Sequence, residues 1–516
     1  MQQSRFAEQR RVTTRLALTV LPMLAVYAAL TWRYPLTTLL PIYRSNIGSV
    51  TKQPWIAVAN LSLAGVTLYG LYLAGVLLCW RVEPTRRMVM LVWSGAILAA
   101  LLLVAIYPVT STDIFDYLFR GRIGAFYGKN PYLAVPSQFK QDPLAATVGW
   151  PNAPSAYGPL WETMSQGIAH LAGASLKVNV LLHKAVAVLT YLGCGLAIWV
   201  ISRPSGRRAQ LIGSFLWLWS PLALWEIVGA GHNDGLLLLA VLLGVWAAEQ
   251  RRTFLAVVAL TIGTLLKFLP ILLLPLVVVY GMRSAHTWRS RSWIFVVSLL
   301  IFSGLTVVAY QPYWAGMRTF QNITVRENFV TTAPLAVASY WLRQAAPLKW
   351  INDLLVTLHL PHPAEVNDVV KSVSRTGSGL LGLGLLWQLW QIWRHGRGIW
   401  RASFGLLLWY LTFGSQWFEP WYVLWLIGLL ALRPDRRTWS WLTAWSLGGQ
   451  SSYLLQYFIQ PQLSKQFGAN WGAQSVKAQA LFCLIIFVPP LVVWTAGWLW
   501  GRGAGRAPRL VQTLST

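Results

Sequence analysis

Two carboxylates and an arginine lie at helical spacing in the segment 110–132, TSTDIFDYLFRGRIGAFYGKNPY. If this segment is helical, Asp113, Asp116 and Arg120 share one face, because residues three and four apart are neighbours on a helix. A carboxylate here can take a proton from a hydroxyl group as a general base. An ionisable group at a membrane boundary is also a functional-site hypothesis by default. The structural alternative is that Asp113 caps the helix and Asp116 pairs with Arg120.

Cationic side chains could bind a negatively charged group near these acids. Lys267 is the only charged residue in the run LTIGTLLKFLPILLLPL, and Pro270 breaks the helix just after it. The ammonium could simply extend to the membrane interface, or it could bind the phosphate of a lipid headgroup. We favour the phosphate contact, because charge at membrane depth is costly. Arg120 and Arg122 are further candidates for binding this phosphate.

Polar and aromatic residues at other ends of apolar runs could recognise a substrate. The connection GHND (231–234) is either a tight turn with Asp234 as a helix cap or part of the same cavity as Asp113. Aromatic rings beside Glu419 suit a sugar, although anchoring at the interface predicts much the same pattern. The candidate substrate-binding residues are Tyr117, Tyr132, Tyr157, His232, Asp234, Glu419, Trp421 and Tyr422. One His beside one Asp is too little for a metal site, so we expect no metal and no cofactor.

Composition identifies a membrane protein. Of the 516 residues 56% are hydrophobic and only 11% are charged, and the mean hydropathy is +0.50. These values exclude a soluble domain with an ordinary surface. The net charge of +27 does not imply a nucleic-acid partner, because the cations lie in short loops between apolar runs. Cys79, Cys194 and Cys483 all lie inside apolar runs. We therefore interpret them as small buried residues rather than as disulfide partners or metal ligands.

The apolar runs predict an all-α, polytopic protein with about 14 transmembrane helices, counted with a window of roughly 20 residues. Arginines precede the first run, but no small-residue cleavage site follows it, so we expect a retained helix rather than a signal peptide. The runs lie at 16–32, 55–80, 88–107, 178–202, 209–228, 235–249, 253–267, 270–282, 293–310, 377–393, 402–415, 420–432, 438–458 and 478–500.

The arginines predict the orientation in the cell membrane. Arginines in the two terminal segments and in every second connection between the apolar runs make up more than half of the chain's 42 Lys and Arg residues. These connections are 81–87, 203–208, 251–252, 283–291, 394–401 and 433–437. Short loops rich in positive charge stay in the cytoplasm. Both termini are therefore expected to be cytoplasmic, and Asp113 extracytoplasmic.

Three connections on the outer side are long, at 108–177, 311–376 and 459–477. In the first, proline and glycine alternate with aromatic residues, which indicates ordered turns and helices lying in the interface. We find no separate soluble domain, so residues 1–516 are expected to form one transmembrane domain. The loop 108–177 contains the candidate acids, and 311–376 is the second large loop.

Several motifs together resemble a known family. DIFDY (113–117), GR (121–122), NPY (130–132) and YGPL (157–160) look like the first-loop signature of polyprenyl-phosphate-mannose-dependent mannosyltransferases of actinobacterial type. GHND (231–234), LLKFLP (265–270) and EPWYVLW (419–425) are similar to that group as well. The resemblance covers most of the chain. The acids here are spaced DxxD rather than the DxD of some relatives, so Asp113 matches the family's acid more safely than Asp116.

The resemblance implies a membrane glycosyltransferase of the GT-C class. It implies an essential acid in the first large outer loop, a polyprenyl-phosphate sugar as donor, and a glycan or glycolipid as acceptor. The sugar would be a hexose, with mannose expected. Such chemistry needs a carboxylate to take the acceptor proton and cations to stabilise the departing phosphate. Asp113 fits the first role, and Arg120, Arg122 and Lys267 fit the second.

Two other classes of membrane protein remain open from the sequence. A transporter or flippase for lipid-linked sugars would also place charges along a substrate path, but it would usually show inverted repeats and broken helices at the midplane. This sequence instead concentrates its polar residues in the outer loops. An O-antigen polymerase or ligase, which is also polytopic with large outer loops, is the other alternative.

Overall fold

The computed structural model describes residues 2–41, 54–321, 330–358 and 365–503. Within these ranges the regular elements are helices, and the only β-pairing is three isolated bridges, such as Pro35 with Ile106. The prediction of an all-α fold is confirmed. The predicted cytoplasmic arginines Arg506 and Arg509 lie outside the described residues, as do residues 322–329 and 359–364 of the predicted second large loop.

The α-helices of the described residues follow one another along the chain in this order. They are α1 (Gln2–Arg33), α2 (Leu36–Leu39), α3 (Pro54–Cys79), α4 (Arg86–Val104), α5 (Asp113–Tyr127), α6 (Pro159–Ala172), α7 (Leu176–Ile201), α8 (Arg207–Leu218), α9 (Pro221–Ala223), α10 (Asp234–Glu249), α11 (Thr253–Leu266), α12 (Leu274–Ser284), α13 (Trp288–Tyr310), α14 (Pro334–Leu342), α15 (Ala345–Thr357), α16 (Val366–His395), α17 (Ile399–Trp409), α18 (Val423–Leu432), α19 (Arg436–Leu454), α20 (Gln460–Phe467) and α21 (Val476–Gly503). Three π-helical turns continue α9, α17 and α19, at Leu224–Gly229, Tyr410–Gly414 and Leu455–Ile459.

Six of the described helices are long and apolar enough to cross a membrane by themselves: α1, α3, α4, α7, α13 and α21. The segments Arg207–Leu218 and Pro221–Gly229 would together make a seventh span, bent by 45° at a break. Shorter apolar helices lie at Thr253–Leu266, Leu269–Ser284 and Pro420–Leu432. The chain is thus a polytopic membrane protein by composition and helix length, while the count of 14 spans stays a prediction.

Glycines allow the central helices to pack closely. A Cβ on Gly448 of α19 would lie 2.4 Å from the Ile485 carbonyl oxygen of α21. A Cβ on Gly213 of α8 would lie 2.2 Å from the Ala431 carbonyl oxygen of α18. Small residues at such contacts let helix backbones approach each other, which is how helices associate in a membrane.

A buried lysine fixes the end of α4, just before the segment with the candidate acids. The Lys184 ammonium on α7 donates to the carbonyl oxygens of Leu103 at 3.1 Å and Ile106 at 2.5 Å. Carbonyl groups at a helix C-terminus lack partners inside the helix, so this contact satisfies them. The chain then turns through residues 107–112 and begins α5 at Asp113.

Candidate functional site

A cavity of about 410 Å³ lies where α5 and the end of α11 meet the segment before α18. Eight of the residues predicted from the sequence line it: Asp113, Asp116, Arg120, Tyr157, Lys267, Glu419, Trp421 and Tyr422. These residues come from four separated parts of the chain. The cavity therefore brings together the candidate acids, the candidate phosphate-binding cation and the aromatic motif.

Asp113 lies at the first turn of α5, with its side chain 19% exposed. The Tyr157 hydroxyl donates to Asp113 Oδ2 at 3.2 Å, and the backbone N–H of Asp113 donates to the Ser111 hydroxyl at 3.2 Å. Burial raises the pKa of Asp113, whereas the positive charge of Lys267 and the Tyr157 hydroxyl oppose this shift. A carboxyl group in this setting, in contact with the cavity, suits a general base.

Lys267 lies at the end of α11 and reaches the same cavity. Its ammonium is 2.8 Å from Asp234 Oδ2, and Asp234 Oδ1 accepts a hydrogen bond from the Trp425 indole at 2.9 Å. The ammonium also lies 5.8 Å and 5.7 Å from the ring centroids of Tyr157 and Tyr422. Such contacts with the faces of aromatic rings stabilise a cation. Lys267 is 18% exposed, so it can still meet a ligand in the cavity.

Asp116 and Arg120 form the pair that their spacing predicted. The distance between Asp116 Oδ1 and the Arg120 guanidinium is 3.4 Å, and Asp116 accepts from the backbone N–H groups of Gly149 at 3.1 Å and Trp150 at 3.2 Å. Arg120 also donates to the Ala153 carbonyl at 2.8 Å. Burial raises the pKa of Asp116 to about 7, against the effect of the Arg120 charge. The pair fixes the segment that leads to Tyr157.

A close backbone contact brings Tyr157 to Lys267. The Gly158 N–H donates to the Leu266 carbonyl at 3.0 Å, and a Cβ on Gly158 would lie 2.1 Å from the Leu265 carbonyl oxygen. Only glycine allows this approach between the start of α6 and the end of α11. The contact explains how YGPL and LLKFLP, which are far apart in sequence, both contribute a residue to the lining of the same cavity.

The opposite wall of the cavity is aromatic and acidic. Trp417, Trp421 and Tyr422 line it together with Glu419, and the Trp417 ring lies 6.1 Å from Trp150 between centroids. Burial and then the negative charge of Asp113 raise the pKa of Glu419 to about 8. Flat rings beside a carboxyl group can pack against a sugar ring and bind its hydroxyls. Trp150 and Trp417 were not predicted as site residues, although Trp417 lies just before the EPWYVLW motif.

Two predicted substrate-binding tyrosines support the cavity from behind. Among the described residues, Tyr117 and Tyr132 are not part of its lining. The Tyr117 ring packs edge-on against Tyr157 and Trp161, each at 4.9 Å between centroids. The Tyr132 hydroxyl donates to the Tyr157 carbonyl at 2.8 Å. Both side chains thus hold Tyr157 rather than face the cavity.

Arg122 is engaged away from the cavity. Its guanidinium donates to Asp142 Oδ2 at 2.8 Å and to the Gly173 carbonyl at 2.9 Å, and it lies 4.7 Å from the Phe126 ring centroid. Arg122 is not among the described residues that line the cavity. Residues two apart on a helix point in different directions, so Arg122 cannot face the cavity together with Arg120. Of the two arginines, only Arg120 is in the described lining of the cavity.

His232 and Asp234 are fully buried behind the cavity rather than in its described lining. Asp234 pairs with Lys267, and His232 lies between Asp113 and Glu226. Glu226 was not predicted as a site residue, although an acid inside an apolar span was a signal for it. Within the described parts of the chain, no three His, Cys, Asp or Glu side chains are grouped as a metal site would require.

Comparison with known proteins relates this sequence to one family. The model of a family described as "Alpha-(1->6)-mannopyranosyltransferase, N-terminal domain" matches residues 17–283. This range is more than half of the chain. It includes Asp113, Asp116 and Lys267, and it ends before the aromatic wall around Glu419.

Individual relatives agree with the family match. The chain is 32% identical over 143 residues to a probable alpha-(1->6)-mannopyranosyltransferase of Mycolicibacterium smegmatis, which covers 27% of this chain and 25% of that protein. Alpha-(1->6)-mannopyranosyltransferase B of Corynebacterium glutamicum is 29% identical over 155 residues, covering 29% and 25%. Alpha-(1->6)-mannopyranosyltransferase A of Mycobacterium tuberculosis is 24% identical over 326 residues, covering 62% and 56%. The matches thus span 25% of the length of the first two relatives and 56% of the third.

Proposed function

The chain belongs to the alpha-(1->6)-mannopyranosyltransferase family, and we propose that it transfers a mannosyl residue from a polyprenyl phosphate to a hydroxyl group of a glycan or glycolipid. In this proposal residues 1–516 act as one transmembrane domain in the cell membrane. The segment 108–177 supplies the general base.

One observation supports this proposal more than any other. The Asp113 carboxylate and the Lys267 ammonium line one cavity, and Tyr157 contacts both, through its hydroxyl and its ring. Transfer of a sugar from a phosphate needs a base for the acceptor proton and a cation for the leaving phosphate. The shared cavity therefore supports a role for Asp113 as the base and for Lys267 as the cation.

In the proposed reaction, the residues of the cavity have separate roles. Asp113 takes the proton of the acceptor hydroxyl as its oxygen attacks the anomeric carbon. The bond from that carbon to the phosphate oxygen breaks, and its electron pair leaves with the phosphate. Lys267, aided by Arg120, stabilises the added negative charge, as preorganised donors do at a developing anion. Trp421 and Tyr422 hold the sugar between them and Asp113.

A lipid-linked donor fits the membrane setting. A polyprenyl chain would lie among lipids beside the helices, so its phosphate would enter the cavity at the membrane boundary. The Gly-x-Gly-x-x-Gly match at 377–382 lies inside α16 rather than between a strand and a helix, so it does not have the setting of a nucleotide-binding phosphate loop. The arginine-rich short connections support a cytoplasmic location of both termini and an extracytoplasmic cavity.

Purified protein in nanodiscs tests the proposal. With an oligomannoside acceptor, we expect turnover with polyprenyl-phosphate mannose and none with a nucleotide-linked mannose in the absence of lipid donor. Turnover with the nucleotide sugar alone would overturn the choice of donor. Movement of the intact lipid-linked sugar across a bilayer, without a new glycosidic bond, would instead support a flippase.

A further inference from the structure

A buried histidine lies between Asp113 and a second carboxyl group. His232 Nδ1 is 3.8 Å from Asp113 Oδ2, and His232 Nε2 is 3.3 Å from Glu226 Oε2. The side chains of His232 and Glu226 are 0% exposed. The Trp421 indole stacks on the imidazole, with 3.9 Å between the ring centroids. The ring is therefore held by its face, with one carboxyl group near each nitrogen.

The backbone brings these side chains together. Glu226 lies in the π-helical turn Leu224–Gly229, and such turns are frequent at functional sites. The His232 N–H donates to the Glu226 carbonyl at 3.1 Å. Gly231 has a φ of +80°, and a Cβ there would lie 2.6 Å from Ile114 Cδ1 on α5. Glycine at this position thus allows the connection to approach the helix that begins with Asp113.

Burying a carboxyl group and an imidazole costs free energy unless they form hydrogen bonds. Ionisable groups that stay buried at membrane depth are therefore candidates for a functional role. In the described part of the chain, the ring nitrogens of His232 and the carboxyl oxygens of Glu226 have no well-aligned hydrogen-bond partner, although the Tyr453 hydroxyl lies beside Glu226. Hydrogen bonds in a catalytic site are often long before substrate binds and shorten in the complex. These distances fit such a site.

We propose that His232 and Glu226 position Asp113 for its role as general base, an inference that rests on the function proposed above. Glu226, as a carboxylic acid, donates its proton to a hydrogen bond with Nε2, and the Nδ1–H donates to Asp113 Oδ2. The direction follows from the atoms available. A neutral imidazole has one N–H and one lone pair, so an Nε2–H tautomer would turn a lone pair towards the Asp113 carboxylate.

No proton is lost from this array during the reaction. The acceptor proton moves to Asp113 Oδ1, while Nδ1–H stays bonded to Oδ2 and orients the carboxylate. Burial, aided by the positive charge of Lys267, lowers the pKa of His232 well below its usual value, which agrees with a neutral ring. His232 and Glu226 are thus positioning residues rather than groups that touch the substrate.

Kinetic pH profiles test the role of His232. A hydrogen bond to a carboxylate lowers its pKa, so His232→Leu should move the acid limb of kcat/KM to higher pH and lower kcat about 10- to 100-fold. His232→Asn keeps an N–H near Nδ1 and should restore the limb. Both His232 variants keep the other titratable residues around Asp113 and His232, which are Asp116, Tyr117, Tyr157, Glu226, Asp234, Lys267, Glu419, Tyr453 and Tyr457.

A matched control separates positioning from loss of a buried ring. His183 on α7 is also buried, and its Nδ1 lies 3.0 Å from the Asn179 carbonyl. His183→Asn should leave the acid limb where it is in the wild type. An unmoved limb in His232→Leu would overturn the proposal.

Two variants test the contribution of Glu226. Glu226→Gln retains an N–H that can donate to Nε2 and should keep most of the activity, whereas Glu226→Leu cannot bond to the ring and should lose about as much as His232→Leu. Equal losses in both Glu226 variants would show that a neutral hydrogen-bonding side chain does not replace the carboxyl group, which contradicts the proposal.

A measurement without turnover separates this inference from the proposed function. Nitrogen NMR of protein with isotope-labelled histidine reports the tautomer, and the signal missing in His232→Asn identifies His232. We expect the Nδ1–H tautomer in the wild type and a mixture in Glu226→Leu. An Nε2–H tautomer would overturn the positioning scheme, while absence of mannosyl transfer would overturn only the function on which it rests.

Discussion

The ammonium of Lys267 lies 2.8 Å from Oδ2 of Asp234, whose side chain is completely buried. Asp234 is therefore a fixed counter-ion for Lys267, and the Trp425 indole holds it from the other side. Loss of one partner of a buried ion pair leaves an uncompensated charge, which destabilises a protein by about 3–5 kcal/mol. A test of Lys267 must consequently remove both charges.

The double variant Lys267→Met/Asp234→Asn separates binding from folding. We expect it to fold better than Lys267→Met alone, because no buried charge remains. It should nevertheless bind the donor about 10- to 100-fold more weakly, since a charge-assisted contact is worth about 1.5 to 3 kcal/mol. The KM for polyprenyl-phosphate mannose measures this. Asp234→Asn alone, which keeps the cation, is the control, and an unchanged donor KM in the double variant would show that Lys267 does not bind phosphate.

Gly158 should be essential for steric reasons alone. Gly158→Ala would place a Cβ 2.1 Å from the Leu265 carbonyl oxygen, so the start of α6 must move away from α11 and carry Tyr157 with it. Overpacking of this kind costs about 1–3 kcal/mol, and kcat/KM should fall as well. Gly167 on α6 has open space around its Cβ position, so Gly167→Ala should keep activity and stability. A fully active, equally stable Gly158→Ala protein would contradict the close contact.

Asp116 should contribute stability that depends on pH. Burial raises its pKa to about 7, so the folded state holds this proton more tightly than the unfolded state. This stabilisation is complete below the unfolded pKa of about 4 and is lost as pH rises through about 7. The melting temperature of the wild type relative to Asp116→Asn should therefore be higher at about pH 5 than at about pH 8.

Asp142 provides the opposite case as a control. Burial alone would raise the pKa of Asp142, but hydrogen bonds from Arg122, Leu144 and Tyr127 hold it below its usual value. Its stabilisation is present above the unfolded pKa of about 4 and is lost only at lower pH. Asp142→Asn should thus show a constant difference from wild type between about pH 5 and pH 8. The same constant difference in Asp116→Asn would contradict the assignment for Asp116.

The orientation in the membrane can be measured with single cysteines. His286 and Lys140 are both exposed, and the arginine distribution places the first in the cytoplasm and the second outside. In a background without the three native cysteines, an impermeant thiol reagent added to intact cells should label Lys140→Cys but not His286→Cys. Permeabilised cells should show labelling of both. The reverse pattern in intact cells would invert the proposed topology.

Local contacts of the site could be predicted from the sequence, whereas distant ones could not. Asp116 and Arg120 meet because they are one helical turn apart, which the sequence states directly. The Lys267–Asp234 pair joins residues 33 apart, and it depends on how α10 packs on α11. Glu226 meets His232 through a π-helical turn, for which the sequence offers no periodic signal. Arg122 pairs with Asp142, and the spacing of these residues in the sequence did not indicate this contact.

The fold, like the site, could be predicted from the sequence only in part. Long apolar runs predicted helices because a membrane span needs every backbone group bonded within the segment. The boundaries of α3, α4 and α7 lie within a few residues of the predicted runs. The break between α8 and α9 was missed, because a run of apolar residues does not reveal a bend of 45°.

The most direct measurement of the central claim is the rate of Asp113→Asn. Asparagine keeps the shape of the side chain but cannot take the acceptor proton, so kcat should fall by about 10²- to 10⁴-fold with the donor KM largely kept. Asp116→Asn, one turn away, should cost less, because its carboxylate pairs with Arg120. Both proteins must first be shown to be monodisperse and folded. A folded Asp113→Asn protein that transfers mannose at near the wild-type rate would contradict the role of Asp113 as the base.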